Sequence, residues 1–151
     1  DAKPIEVLDT PANEGSGKLS PNGRWLAYVS DESGRNEVYV RAFLDRGTGR
    51  WLVSQEGGRG PIWSRDGAEL FFIGGNSQMM AVPIQSGATF SHGAPRALFA
   101  TQASLIITAA STGNFFDVSA DGRFLLPLPP EGRRAPTPLT VVLNWPSLLS
   151  R

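Results

Sequence analysis

Three stretches of this chain repeat one pattern, and the repeat restricts the fold more than any other feature. The first is Leu19-Ser20-Pro21-Asn22-Gly23-Arg24-Trp25-Leu26-Ala27-Tyr28-Val29-Ser30. The second is Ile62-Trp63-Ser64-Arg65-Asp66-Gly67-Ala68-Glu69-Leu70-Phe71-Phe72-Ile73. The third is Phe116-Asp117-Val118-Ser119-Ala120-Asp121-Gly122-Arg123-Phe124-Leu125-Leu126. Each reads as an apolar residue, Ser, any residue, Asn or Asp, Gly, and then an apolar strand. The Asn-Gly or Asp-Gly pair supplies the positive φ angles of a tight hairpin. The serine and the Asn or Asp side chain are placed to bond backbone amides inside the turn.

Asn22 and Asp66 lie 44 residues apart, and Asp66 and Asp121 lie 55 apart. A period of roughly 40–50 residues is that of a four-stranded antiparallel blade of a β-propeller. The intervening residues fit. After the first turn, strands are expected at 24–30, 36–43 and 50–54. After the second they are expected at 68–73, 78–84 and 96–100, and after the third at 123–128 and 139–145. Shorter innermost strands would precede the turns at 17–20, 61–64 and 114–119. The expected fold is therefore all-β, a single domain over 1–151 with blades at 15–54, 58–100 and 108–145. No window of twelve or more residues keeps a helical period, and the 17 glycines and 12 prolines are spread as turns between short strands.

About three blades make half a propeller, since closed rings need about four to eight. Pro4 to Leu8 form an extra strand ahead of the first blade, and the third blade lacks a fourth strand after Trp145. The expectation is a homodimer that closes six blades, the strand at 4–8 completing the partner's third blade. A piece cut from a longer propeller is the competing account.

The run from Leu19 to Ser30, with Glu37-Val38-Tyr39-Val40, resembles the WD40-like (PD40) repeat of the TolB propeller superfamily. Trp63-Ser64-Arg65-Asp66-Gly67 followed by Met80-Ala81-Val82-Pro83-Ile84 is similar. Val141-Val142-Leu143-Asn144-Trp145 resembles the end of propellers that follow the kinase domain in some bacterial serine/threonine kinases. The resemblance implies a propeller that binds a protein or peptide. It carries no kinase signature: no glycine-rich phosphate loop, His-Arg-Asp or Asp-Phe-Gly.

Fourteen basic residues balance fourteen acidic ones, which speaks against a nucleic-acid partner or an anionic membrane. The apolar run Leu105 to Ala110 is too short to span a bilayer, so no membrane insertion is expected. The chain itself is expected to be soluble. Its compartment stays open, a bacterial extracytoplasmic one among the options. Without cysteine there is no disulfide, iron–sulfur or thiolate zinc site, and one histidine forbids a multi-histidine metal site, so neither metal nor cofactor is expected.

No catalytic residue is assigned. His92 reads as a polar residue in a long connection, and Ser77 as turn chemistry rather than a nucleophile elbow. Gly57-Gly58-Arg59-Gly60 carries the chain between blades, with no helix behind it to make a phosphate cradle. Asp66 and Asp121 recur once per blade and so serve the fold, Asp31-Glu32 is a solvated turn, and Arg133-Arg134 a solvated pair. Trp25, Tyr28, Trp63, Phe71 and Phe72 are spaced for packing between blades, whereas Trp51 and Trp145 fall near blade edges where a ring is free to bind. Twelve of the fourteen basic residues are arginine, which suits a protein interface. The candidate binding residues are Lys18, Arg59, Asn114 and Asp117, all on or beside inner strands. The expected function is a non-catalytic binding or scaffolding module. A fragment of a propeller-containing hydrolase, peptidase or lyase is the alternative.

Overall fold

The strand Trp25–Ser30 has all six side chains buried. A strand hidden on both faces must lie inside a stack of sheets. The computed structural model describes residues 6–8, 10–43, 49–86, 89–101 and 116–126, and among them every regular element is a strand.

The first sheet is an antiparallel meander of β1 (Glu14–Leu19), β2 (Trp25–Ser30), β3 (Glu37–Ala42) and β4 (Arg50–Leu52), in that spatial order. The second sheet has β5 (Gly58–Trp63), β6 (Glu69–Gly74) and β7 (Gln78–Ser86) in the same order, with β8 (Phe90–His92) and β9 (Arg96–Ala100) both on β7. A hairpin of β10 (Asp117–Val118) and β11 (Phe124–Leu125) opens a third unit. The chain is thus all-β, built of antiparallel sheets. Trp145 and residues 129–136 and 139–145 lie outside the described residues, as does Arg133-Arg134.

The repeated turn is the same device three times. The glycine amide closes it onto the serine carbonyl, Gly23 to Ser20 at 2.8 Å, Gly67 to Ser64 at 2.9 Å and Gly122 to Ser119 at 3.0 Å. The serine hydroxyl donates to the Asn or Asp carboxyl-side oxygen and accepts a strand amide, that of Trp25, Glu69 or Arg123. Only the glycines take positive φ, at 68°, 72° and 80°. Asn22, Asp66 and Asp121 do not, contrary to expectation; their side chains act as acceptors instead. The third turn closes one residue sooner than the others, four positions after its serine instead of five.

Alternate residues of β2 and β3 face opposite ways, and each row finds its own neighbour. Trp25, Ala27, Val29, Val38 and Val40 pack against Trp63, Leu70, Phe72 and Val82 of the second sheet. Phe71, Ile73, Met79 and Ala81 on the far side of that sheet pack against Phe116, Val118 and Phe124. The aromatic rings expected between blades therefore sit between sheets, except Tyr28. It stacks on Tyr39 at 5.8 Å on the outward face of the first sheet, together with Leu26, Phe43, Val7 and Leu8. Within the segment at 4–8, residues 6–8 are not in a strand. Val7 and Leu8 cover their own chain's first sheet instead.

Three expectations about the two sheets are corrected. His92, read as part of a connection, lies in β8, which pairs Ile84 with His92. Three residues are too few to show a period, and what fixes them is Phe90, whose ring meets Trp51 at 4.9 Å and Trp25 at 5.2 Å. Trp51 is accordingly packed into the interface between sheets, with Trp25 edge-on at 5.6 Å, and is not a free binding ring. The glycine run is not only a connector either: Gly58, Arg59 and Gly60 belong to β5. A Cβ on Gly58 would lie 2.7 Å from Ser54 Cβ, so only glycine lets the sheets approach here.

The crossover between the sheets is held by a buried carboxylate. Glu37 accepts from Ser54 Oγ, from the Gly57 amide at 3.0 Å and from Arg35 Nε at 2.6 Å. Ser54 Oγ in turn accepts the Val38 amide at 2.7 Å. The two buried polar side chains of this crossover, Glu37 and Ser54, both find partners, as burial requires.

Gly67 has φ +72° and its Cβ position lies 3.4 Å from Pro21 Cδ, so a branched side chain is strained there. We expect Gly67→Val to lower stability by about 1–3 kcal/mol in urea unfolding, with an unchanged value contradicting the turn assignment. The Ser64 hydroxyl and the Ala68 amide hold the Asp66 carboxyl below its ordinary value, and Ser119 and Arg123 do the same for Asp121. A lowered folded pKa adds stability that is complete above the ordinary carboxylate value near 4 and is lost as pH falls through the folded one. The melting temperature should therefore drop between pH 5 and pH 2, and drop less in an Asp66→Asn/Asp121→Asn double variant.

Candidate functional site

β1, β5 and β10 are the strands that lead into the three turns, and the first two are joined across the sheets. The Trp63 indole donates to the Lys18 carbonyl at 3.0 Å. Both strands carry a bulge at the same place in the repeat, with Ser16 at φ 54° and Gly60 at φ 62°. Bulges re-aim the residues that follow them. Here those residues are Lys18 and Leu19 on β1 and Ile62 and Trp63 on β5.

The ends of these strands border a cleft of about 340 Å³. Leu19, Pro21 and Ile62 give it apolar surface, while Lys18, Arg65 and Asp117 bring charge. Leu19 stays 47% exposed. Among the described residues, neither Lys18 nor Arg65 forms an ion pair. Among the described residues, the Asp117 carboxylate accepts one bond, from the amide of Val118 at 2.8 Å. A second hollow, of about 480 Å³, lies between the Ser64–Glu69 turn and the third hairpin and shares Ser64 and Arg65 with the first. Arg65 therefore stands on the wall between them.

Of the residues singled out from the sequence, Lys18 and Asp117 come together in this cleft. Arg59 does not. It lies four residues before Trp63, roughly 13 Å back along β5, and pairs with Ile73. Asn114 lies outside the described residues. Leu19, Pro21, Ile62 and Arg65 were missed. A signal for two of them existed: Pro21, Arg65 and Ala120 fill the one unconstrained position of the Ser-x-Asn/Asp-Gly turn. The turn bonds place no demand on that side chain, so its identity is free to serve something else. Pro21 and Arg65 border the cleft, and Ala120 borders the second hollow.

Neither a protein-family model nor a curated protein matches this chain.

The other candidates for chemistry are tied into the fold. Gly57 and Gly58 donate their amides to Glu37 and to the Asn36 carbonyl, so the glycine run has those donors committed and offers no phosphate cradle. His92 Nδ1 meets the Gly93 carbonyl at 2.9 Å, with the Phe90 ring beside it. Ser77 takes φ 62° in the β6–β7 turn, and its carbonyl receives the Thr101 amide and hydroxyl. Asp31 is not merely solvated, since Asn13 bonds it through both backbone and side chain and holds its carboxyl low. Among the described residues, no three His, Asp or Glu side chains gather as a metal site would.

The indole bond is the link that fixes the cleft's floor. Trp63→Phe removes the donor and, because Trp63 is buried in the core, also leaves space where the five-membered ring packed. We expect it to cost about 1.5–4 kcal/mol of stability in denaturant unfolding, the hydrogen bond together with the lost packing. A loss near zero would mean that the bond does not hold β1 to β5.

Proposed function

We propose that this chain is a non-catalytic binding module made of propeller blades of the TolB-like, PD40 kind, with the cleft at Lys18, Arg65 and Asp117 as its contact site. The observation that carries the reading is the set of unpaired charges around exposed Leu19 and Pro21, at the ends of strands that the sheets hold rigidly. Charged side chains left without partners beside open apolar surface suit recognition of another molecule. No described histidine or serine is placed as a nucleophile–base pair, the constellation that acyl-transfer chemistry needs.

The repeat supports the propeller part of the reading. The row Leu70 and Phe72, which receives the first sheet, occupies the same repeat positions as Leu26 and Tyr28, 44 residues earlier. Each sheet thus has one face of each kind, and such sheets stack one after another. Two copies supply six units, so a homodimer is the proposed way to close the ring. Val7 and Leu8 pack on the face of Leu26 and Tyr28 in their own chain, so closing the ring requires the partner's third unit to displace them or to pack over them.

Two measurements test these proposals. A panel of generic ester, peptide and glycoside substrates should give background rates, and a turnover that vanishes in His92→Ala would establish an enzyme instead. Light scattering should give a species near twice 16.2 kDa, whereas a monomer at every concentration rules out the dimer.

A further inference from the structure

We infer that the cleft takes an extended peptide segment of a partner protein in which a carboxylate side chain neighbours an aliphatic one. The inference rests on the binding-module reading above and names the ligand of that same site. Lys18 on β1 and Arg65 in the second turn approach it from different sheets, and neither is neutralised among the described residues. Two unpaired cations and one unpaired carboxylate leave the cleft with a net charge of about +1. Leu19, Pro21 and Ile62 supply the surface for an aliphatic side chain beside that charge. The volume, about 340 Å³, is at the low end of ligand sites, roughly 300–1,000 Å³, and suits one or two side chains rather than a cofactor.

Asp117 decides against the simplest alternative. A polyanion such as a nucleic acid would bring successive phosphates past the Asp117 carboxylate, where like charges repel. A peptide places its acid at Lys18 and Arg65 and turns an amide or a basic group toward Asp117. Arginine is suited to the carboxylate, because its planar fork matches the two oxygens.

The test is a positional-scanning library of acetylated, amidated octapeptides, screened on the full chain by fluorescence displacement. The expected result is selection of Asp or Glu next to Leu, Ile or Val, with binding that weakens as salt is added. Lys18→Ala and Arg65→Ala should each weaken a selected peptide by about three- to tenfold, with unchanged melting temperature. Arg59→Ala removes the same charge at the far end of β5 and should leave the affinity unchanged. Asp117→Asn should raise the affinity for peptides with two adjacent acids. Selected peptides that bind equally well to the Lys18 and Arg65 variants overturn the cleft assignment while the binding-module reading stands. So does displacement by oligodeoxythymidine as effective as by peptide, which makes the ligand a polyanion. If no peptide is selected, the inference fails; the binding reading then falls too only if chemical crosslinking of the wild-type chain in its source cells captures no protein either.

Discussion

A strand buried on both sides needs a neighbour on each side, and β2 and β6 are such strands. The six residues from Trp25 to Ser30 alternate between two apolar environments, one against the second sheet and one under Val7, Leu8 and Tyr39. β6 repeats the arrangement between the first sheet and the third hairpin. A single sheet of this composition would expose half its apolar residues to water, at roughly 25 cal/mol for each Å². Stacking removes that exposure. The turns, the crossover at Glu37 and the cleft all take their positions from it.

That logic made much of the fold legible in the sequence. The Ser-x-Asn/Asp-Gly turns set the register of each hairpin, and the apolar strand after each turn marks the doubly buried position. β9 at Arg96–Ala100 falls where expected, whereas β5 begins at Gly58, three residues before the strand expected at 61–64. What stayed hidden depends on tertiary contact. β8 is three residues long, and it exists because Phe90 reaches Trp25 and Trp51 across the sheets. Trp51 looked free for the same reason, since its partner comes from the other sheet. The role of Gly58 as part of a strand depends on Val38 and Ser54, which lie far off in the chain.

The cleft was half legible. Lys18 and Asp117 were named from their position on inner strands, and both border the cleft. Arg59 also lies on an inner strand but stands away from this cleft, and strand membership alone does not tell one end of a strand from the other. Leu19 and Ile62 look like ordinary core residues in a sequence. Only the bulges at Ser16 and Gly60 turn them toward the opening, and a bulge at a non-glycine residue such as Ser16 leaves little trace in composition.

The buried Glu37 bears on how the units fold as a chain. In stacked repeats each unit touches only its neighbours, so the coupling at each boundary decides whether units melt singly or together. Glu37 sits in β3 of the first sheet, yet two of its bonds go to Ser54 and Gly57, the residues that carry the chain into the second. Opening the second sheet draws Ser54 and Gly57 away and leaves the buried carboxylate with Arg35 alone, which is costly. One side chain therefore couples the two sheets, so a fluctuation that loosens the second also strips buried hydrogen bonds from the first.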